Sequence, residues 1–153
     1  MKLLLVSLAI ACLNSFISLQ AQEQLRVIPY PAEATMQAET CELKSFRKIL
    51  CPSASLYKEA AFLEKKLADS GYEMKLSSGK KAVKGINLSL DNTLQNKEGY
   101  RLIIAPEQIR IKGGSPAGVF YGIQTLLQLL ANGELRCGTI ADAPRYEWRG
   151  YML

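Results

Sequence analysis

The 153-residue sequence contains no histidine. That excludes a His general base, a His-based catalytic triad, an H-E-x-x-H metal site and a Cys/His zinc site. An enzyme built from this chain alone would have to draw on carboxylates, Cys or Lys. Tryptophan occurs once and cysteine four times, and the length leaves room for one domain. Neither charge sign dominates, with 19 Lys+Arg against 14 Asp+Glu. Lys80, Lys81 and Lys84 lie beside Ser77-Ser78-Gly79 in an expected turn, and Arg47-Lys48 is an isolated pair without aromatic interleaving. These read as solvated charge, and no nucleic-acid partner is expected.

The first residues have the organisation of a secretory signal peptide. Met1-Lys2 is a short positive start, Leu3 to Leu19 is largely apolar, and Ala21 offers a small residue before Gln22-Glu23. The expectation is a signal at 1–21 and export to the periplasm or the extracellular space. A membrane span is disfavoured by the polar pair Asn14-Ser15 and by the lack of a flanking basic stop. Cys12 after Ala9-Ile10-Ala11 weakly resembles a lipoprotein cleavage box, but the apolar run continues past it. Beyond the signal, Cys41, Cys51 and Cys137 allow at most one intrachain disulfide. Cys41 with Cys51 would close a hairpin-sized loop; the odd third thiol weakens that argument, and buried small hydrophobes are the favoured reading. Their spacing fits no metal site.

The pattern after Pro29-Tyr30-Pro31, which forces an extended start, predicts an ordered run of elements. Ala34 to Cys41 and Leu43 to Leu50 are candidate short strands. A helix capped by Ser53 or Ser55 carries Leu56, Ala60, Leu63 and Leu67 on one face and stops at Gly71. Tyr72 to Leu76 and Ile86 to Leu90 alternate as half-buried strands, so the Asn87-Leu88-Ser89 sequon reads as chance. Tyr100 to Ala105 and Gln108 to Lys112 form a hairpin at Pro106-Glu107. Ser115 and Pro116 open a second helix that Asn132-Gly133 closes. Between Val119 and Ala131 only Gln124, Thr125 and Gln128 are polar, more apolar circumference than one sheet face covers, so two partners are expected. Gly118 and Gly122, four apart, are either a bare stripe for close backbone approach or a flexible pair. Leu135 to Ile140 adds a last strand, Asp142-Ala143-Pro144 breaks it, and Tyr146 to Leu153 reads as the first strand of something further.

Two segments carry a resemblance. Ala117-Gly118-Val119-Phe120-Tyr121-Gly122-Ile123-Gln124-Thr125-Leu126-Leu127-Gln128-Leu129 and Ile140-Ala141-Asp142-Ala143-Pro144-Arg145-Tyr146-Glu147-Trp148-Arg149-Gly150-Tyr151-Met152-Leu153 resemble the family 20 β-N-acetylhexosaminidases. There a G-x-F-Y-G-x-Q-T-L-x-Q-L helix closes a small N-terminal domain, and a P-R-F-x-W-R-G-x-M-L-D stretch opens a catalytic (β/α)8 barrel. The resemblance implies an α+β fold over residues 22–143, a small mixed or antiparallel sheet with two helices packed on one face, and the start of the barrel at 144–153. It implies exo-hydrolysis of terminal N-acetylglucosamine or N-acetylgalactosamine with retention. The substrate's acetamido oxygen attacks the anomeric carbon, an Asp orients it, and a neighbouring Glu protonates the leaving oxygen, with no cofactor.

The sequence contains no H-x-G-G-D-E stretch and only the opening residues of a barrel, which takes roughly 250 residues. The chain is therefore expected to be truncated before the barrel and inactive by itself, with no catalytic residue of its own. Asp91, Glu98, Asp142 and Glu147 do not form a pair on one rigid face. Arg149 is the one position the resemblance carries over: the Arg of W-R-G contacts hydroxyls of the terminal sugar, which suits its planar fork of donors. The expected partners are the barrel and, through it, N-acetylhexosaminide sugars. The alternative is a free-standing secreted module that binds carbohydrate or protein, with Tyr146, Trp148 and Tyr151 as its aromatic platform.

Overall fold

The computed structural model describes residues 25–79, 84–133 and 135–146. The expected signal, Lys80, Lys81, and the run holding Glu147, Trp148, Arg149 and Tyr151 lie outside them. The described elements run β1 (Glu33–Thr40), β2 (Lys48–Leu50), α1 (Tyr57–Asp69), β3 (Lys75–Ser77), β4 (Gly85–Leu90), β5 (Tyr100–Ile104), β6 (Gln108–Gly113), α2 (Pro116–Ala131) and β7 (Arg136–Asp142). They make an α+β fold around a seven-stranded sheet of order β1-β7-β5-β6-β4-β2-β3. From β1 to β6 the neighbours are antiparallel, and from β6 to β3 they are parallel. The parallel pair β2 and β3 needs a crossover, and α1 supplies it.

The period of two fixes which side each strand residue faces. Ile86 stands opposite Ile109, Leu88 opposite Ile111, and Leu102 opposite both Ile111 and Ile140. All of these are fully buried beneath the helices, where Val119, Ile123 and Leu126 of α2 and Ala60, Leu63 and Leu67 of α1 meet them. The helices touch each other through Phe62 and Phe120, whose ring centroids are 5.3 Å apart. Both helices therefore sit on one face, and the intervening strand positions, among them Asn87, Ser89, Arg101, Arg110 and Thr139, point to the other.

Three local expectations are corrected. The run Leu43 to Leu50 is not one strand: Leu43–Ser45 is a 3-10 turn, and only Lys48–Leu50 joins the sheet. Leu43 and Phe46, three apart and both buried, follow a turn's spacing. Ser45 Oγ donates to the Glu42 carbonyl at 2.8 Å, and the Arg47 guanidinium donates to the Phe46 carbonyl at 2.8 Å, which holds the bend. The second correction is Tyr72 to Leu76, where the ladder covers only Lys75–Ser77. The Tyr72 amide still bonds the Leu67 carbonyl at 2.9 Å, so that residue belongs to the close of α1. Gly71, at φ +82°, makes that close with the left-handed conformation glycine tolerates. Finally, Ser53 and Ser55 do not cap α1: their hydroxyls bond each other at 2.8 Å, and a 3-10 turn, Ala54–Leu56, leads into the helix. β1 and β7 are also displaced by one or two residues from their expected limits, and Asp142 remains in the ladder opposite Tyr100.

Cys41, Cys51 and Cys137 are free thiols, the first and last buried. Burial, reinforced by Cys137 nearby, pushes the Cys41 thiol up to about 11. Burial also raises Cys51 and Cys137. A thiol whose folded value is raised favours the folded state below its ordinary value near 9 and loses that contribution as pH climbs toward 11. For Cys41 the loss is roughly 2–3 kcal/mol. Thermal melts between pH 8 and pH 11 are expected to fall steeply, and Cys41→Val to fall less. Parallel curves for the two proteins would contradict the assignment.

Candidate functional site

The distinctive surface is built around α2. Ser115 stands at its N-cap position with extended backbone and Pro116 at the first turn; no side-chain bond caps it. The helix then lies unusually close to the sheet. A Cβ on Gly118 would meet the carbonyl oxygen of Gly99, and one on Gly122 would come within 2.6 Å of Ile111 Cγ2 and 3.2 Å of the Tyr100 ring. The Gly118/Gly122 stripe is thus a seat for the backbone, which decides between its two sequence readings. Beneath it the Tyr100 hydroxyl and Thr125 Oγ1 share a buried bond of 2.7 Å. Burial raises the Tyr100 phenol, the Thr125 bond opposes this, and Asp142 adds to it, so the ring stays neutral and structural.

An adjoining flank of α2 holds a strap formed by the segment 26–32. The Gln128 side chain accepts from the Ile28 amide at 2.9 Å and donates to the Ile28 carbonyl at 3.1 Å, in the manner of a strand neighbour. Asn132 Nδ2 donates to the Arg26 carbonyl, and the Ala32 amide donates to Asp142 Oδ1 at 3.2 Å. The sequence showed Gln128 as one of few polar residues on α2 without revealing this partner, which lies 100 positions away. The second partner expected for the helix is in part this strap.

Between the strap, α2 and the segment after β7 lies a groove of about 490 Å³, walled by Tyr30, Glu98, Tyr121, Gln124, Asp142 and Arg145. Two of its lining side chains are large, apolar and exposed, Ile28 at 84% and Tyr30 at 60%, and Tyr146, next in sequence to Arg145, is 74% exposed. Phe120 on α2 is also exposed. The groove offers binding surface rather than acid–base chemistry. Asp142 spends an oxygen on the strap, and Asp91 lies elsewhere, accepting the Thr93 hydroxyl at 2.6 Å. Raised thiols stay protonated near neutrality and are poor nucleophiles. Among the described residues no group of His, Cys, Asp and Glu could hold a metal ion. Arg149, the expected sugar contact, lies outside the described residues.

Comparison with known proteins gives this arrangement a family. Residues 24–143 match the model for glycosyl hydrolase family 20, domain 2. The β-hexosaminidase of Porphyromonas gingivalis is 30% identical over 171 aligned positions, covering 94% of this chain and 22% of that protein. The β-N-acetylhexosaminidase of Streptomyces coelicolor superposes with a TM-score of 0.72 and 30% identity, over 82% of this chain and 28% of that one. The N-acetyl-β-hexosaminidase of Streptomyces plicatus gives 0.71 at 30% identity, over 82% of this chain and 27% of the other. The chain thus spans between a fifth and just over a quarter of the length of these relatives. A mixed sheet backed by two helices, with α2 seated through its glycines and strapped by the segment 26–32, is the domain 2 of glycosyl hydrolase family 20, and the chain belongs to that family.

Proposed function

We propose that the chain is the non-catalytic supporting domain of an exported β-N-acetylhexosaminidase that removes terminal N-acetylglucosamine or N-acetylgalactosamine with retention. Its task is to pack against a (β/α)8 barrel that performs the substrate-assisted chemistry. The observation that carries this is the small cluster of exposed apolar side chains, Ile28 and Tyr30, at the groove beside α2, on a chain matched to family 20 over residues 24–143. Such a cluster, beside a rigid helix, is what an interdomain contact covers. In the complete enzyme Arg149 donates to hydroxyls of the terminal sugar, as the W-R-G resemblance implies. Export follows from the signal-like pattern of residues 1–21. No helix among the described residues is long and apolar enough to cross a membrane.

Grafting tests the packing role. Residues 24–143 replace the corresponding segment of the Porphyromonas gingivalis β-hexosaminidase, and the chimera is expected to stay soluble and active. Adding Ile28→Glu with Tyr30→Glu places charges in the proposed contact; the chimera's Tm is expected to fall by about 5–10 °C while that of the separate domain barely changes. Equal, small effects in both settings would remove the contact from this surface.

A further inference from the structure

The face of the sheet that the helices leave open is basic in a specific way. Two rows of side chains cross it. In one, Asn87 of β4, Arg110 of β6, Ile103 of β5 and Thr139 of β7 stand side by side; in the next, Ser89, Lys112, Arg101 and Ala141 do so. Arg101 stands directly opposite Lys112, a like-charge pairing that costs stability in a sheet. Arg101 and Arg110 are diagonal neighbours on adjacent strands, roughly 7–8 Å apart. Both are exposed, and among the described residues neither guanidinium donates a hydrogen bond, whereas Arg47 and Arg136 both do. The nearby carboxylates offset the face only in part, through an ion pair between Asp91 and Lys112 that leaves Arg101 and Arg110 without a salt bridge among the described residues. Asp91 at its margin is held below the usual carboxylate range chiefly by the Thr93 hydroxyl and amide, with help from Lys112 and Arg101, and lies 3.8 Å from Lys112 Nζ. Glu33 stands at the far end of the second row, beyond Ala141.

We propose that this open face, through Arg101, Arg110 and Lys112, binds an anionic polysaccharide bearing sulfate or carboxylate groups. Planar guanidinium forks take such groups two oxygens at a time, and their diagonal spacing suits charges on one disaccharide. Asn87, Ser89 and Thr139 add amide and hydroxyl partners for sugar oxygens. Among the described strand residues this face carries no aromatic ring on which bases would stack, and its large apolar residues are half-buried (Ile103) or buried (Leu50, opposite Asn87), which leaves nothing to insert into a lipid surface. Bound anions would also relieve the Arg101–Lys112 repulsion. The face lies opposite the helices and the groove, so this inference goes beyond the packing role and stands or falls separately from it.

The test uses the full chain and three probes: a heparin-derived octasaccharide, neutral chitohexaose, and phosphatidylglycerol vesicles. The octasaccharide is expected to bind saturably at 50 mM NaCl, to weaken more than tenfold at 300 mM, and to raise the Tm. Arg101→Gln with Arg110→Gln is expected to lower its affinity at least tenfold while leaving the ligand-free Tm equal or slightly higher; Arg110→Glu alone should act in the same direction. Chitohexaose and vesicles are expected to bind at least tenfold more weakly than the octasaccharide. Equal affinity for wild type and variants, binding to vesicles alone, or no octasaccharide binding at 50 mM overturns the proposal.

Discussion

Replacing Gly118 by alanine is expected to destabilise the domain by about 2 kcal/mol, and replacing it by valine to leave little folded protein at 37 °C. In an ordinary helix interior the alanine change would stabilise by roughly 1 kcal/mol, because glycine is the poorer helix former. Here the added carbon falls on the Gly99 carbonyl oxygen, a backbone atom that no side-chain rotation can move. To make room, the start of α2 must lift from β5 and β6, which carry the buried Tyr100, Leu102 and Ile111. Overpacking of this kind costs about 1–3 kcal/mol and occasionally more, and the larger valine exceeds that range against a total stability of about 5–15 kcal/mol. The alanine loss corresponds to a Tm drop on the order of 5–10 °C, readable by circular dichroism. Gly133→Ala is the comparison: nothing lies within 4 Å of its Cβ, but its φ of +99° confers strain of about 1–2 kcal/mol by itself. A Gly118→Ala protein that melts at or above the wild-type temperature would mean that α2 is not seated through this glycine.

Where residues repeat at a fixed period, the sequence already shows the fold. The alternation of Ile86 and Leu88, the hairpin around Pro106-Glu107, and the Pro116 start and Gly133 stop of α2 all appear in the structure near their expected limits. Two of the misses share a cause, local polar side chains, whereas Tyr72 was taken up by the backbone close of α1 at Gly71. Ser45 and Arg47 bend what alternation reads as a strand, and Ser53 with Ser55 bond each other instead of capping a helix. The site was legible in one respect, the excess apolar circumference of α2, because counting polar residues needs no knowledge of neighbours. Its strap was not, since the Gln128–Ile28 and Asp142–Ala32 bonds join residues 100 or more positions apart. The open basic face was equally hidden. Arg101, Arg110 and Lys112 are unremarkable in order along the chain, and only the β5–β6 register brings them together.

The supporting role and the absence of intrinsic chemistry are tested most directly by assaying the purified chain on p-nitrophenyl N-acetyl-β-glucosaminide. Among the described residues Asp142 bonds the strap, Asp91 lies elsewhere on the Thr93 hydroxyl, and burial raises the thiols of Cys41, Cys51 and Cys137, an arrangement that offers no acid–nucleophile pair for an acetamido-assisted reaction. Hydrolysis is expected at the buffer rate, on the order of a million-fold or more below the Porphyromonas gingivalis β-hexosaminidase assayed in parallel. Saturable turnover that elutes with the chain and disappears in the Gly118→Val protein would contradict the central claim.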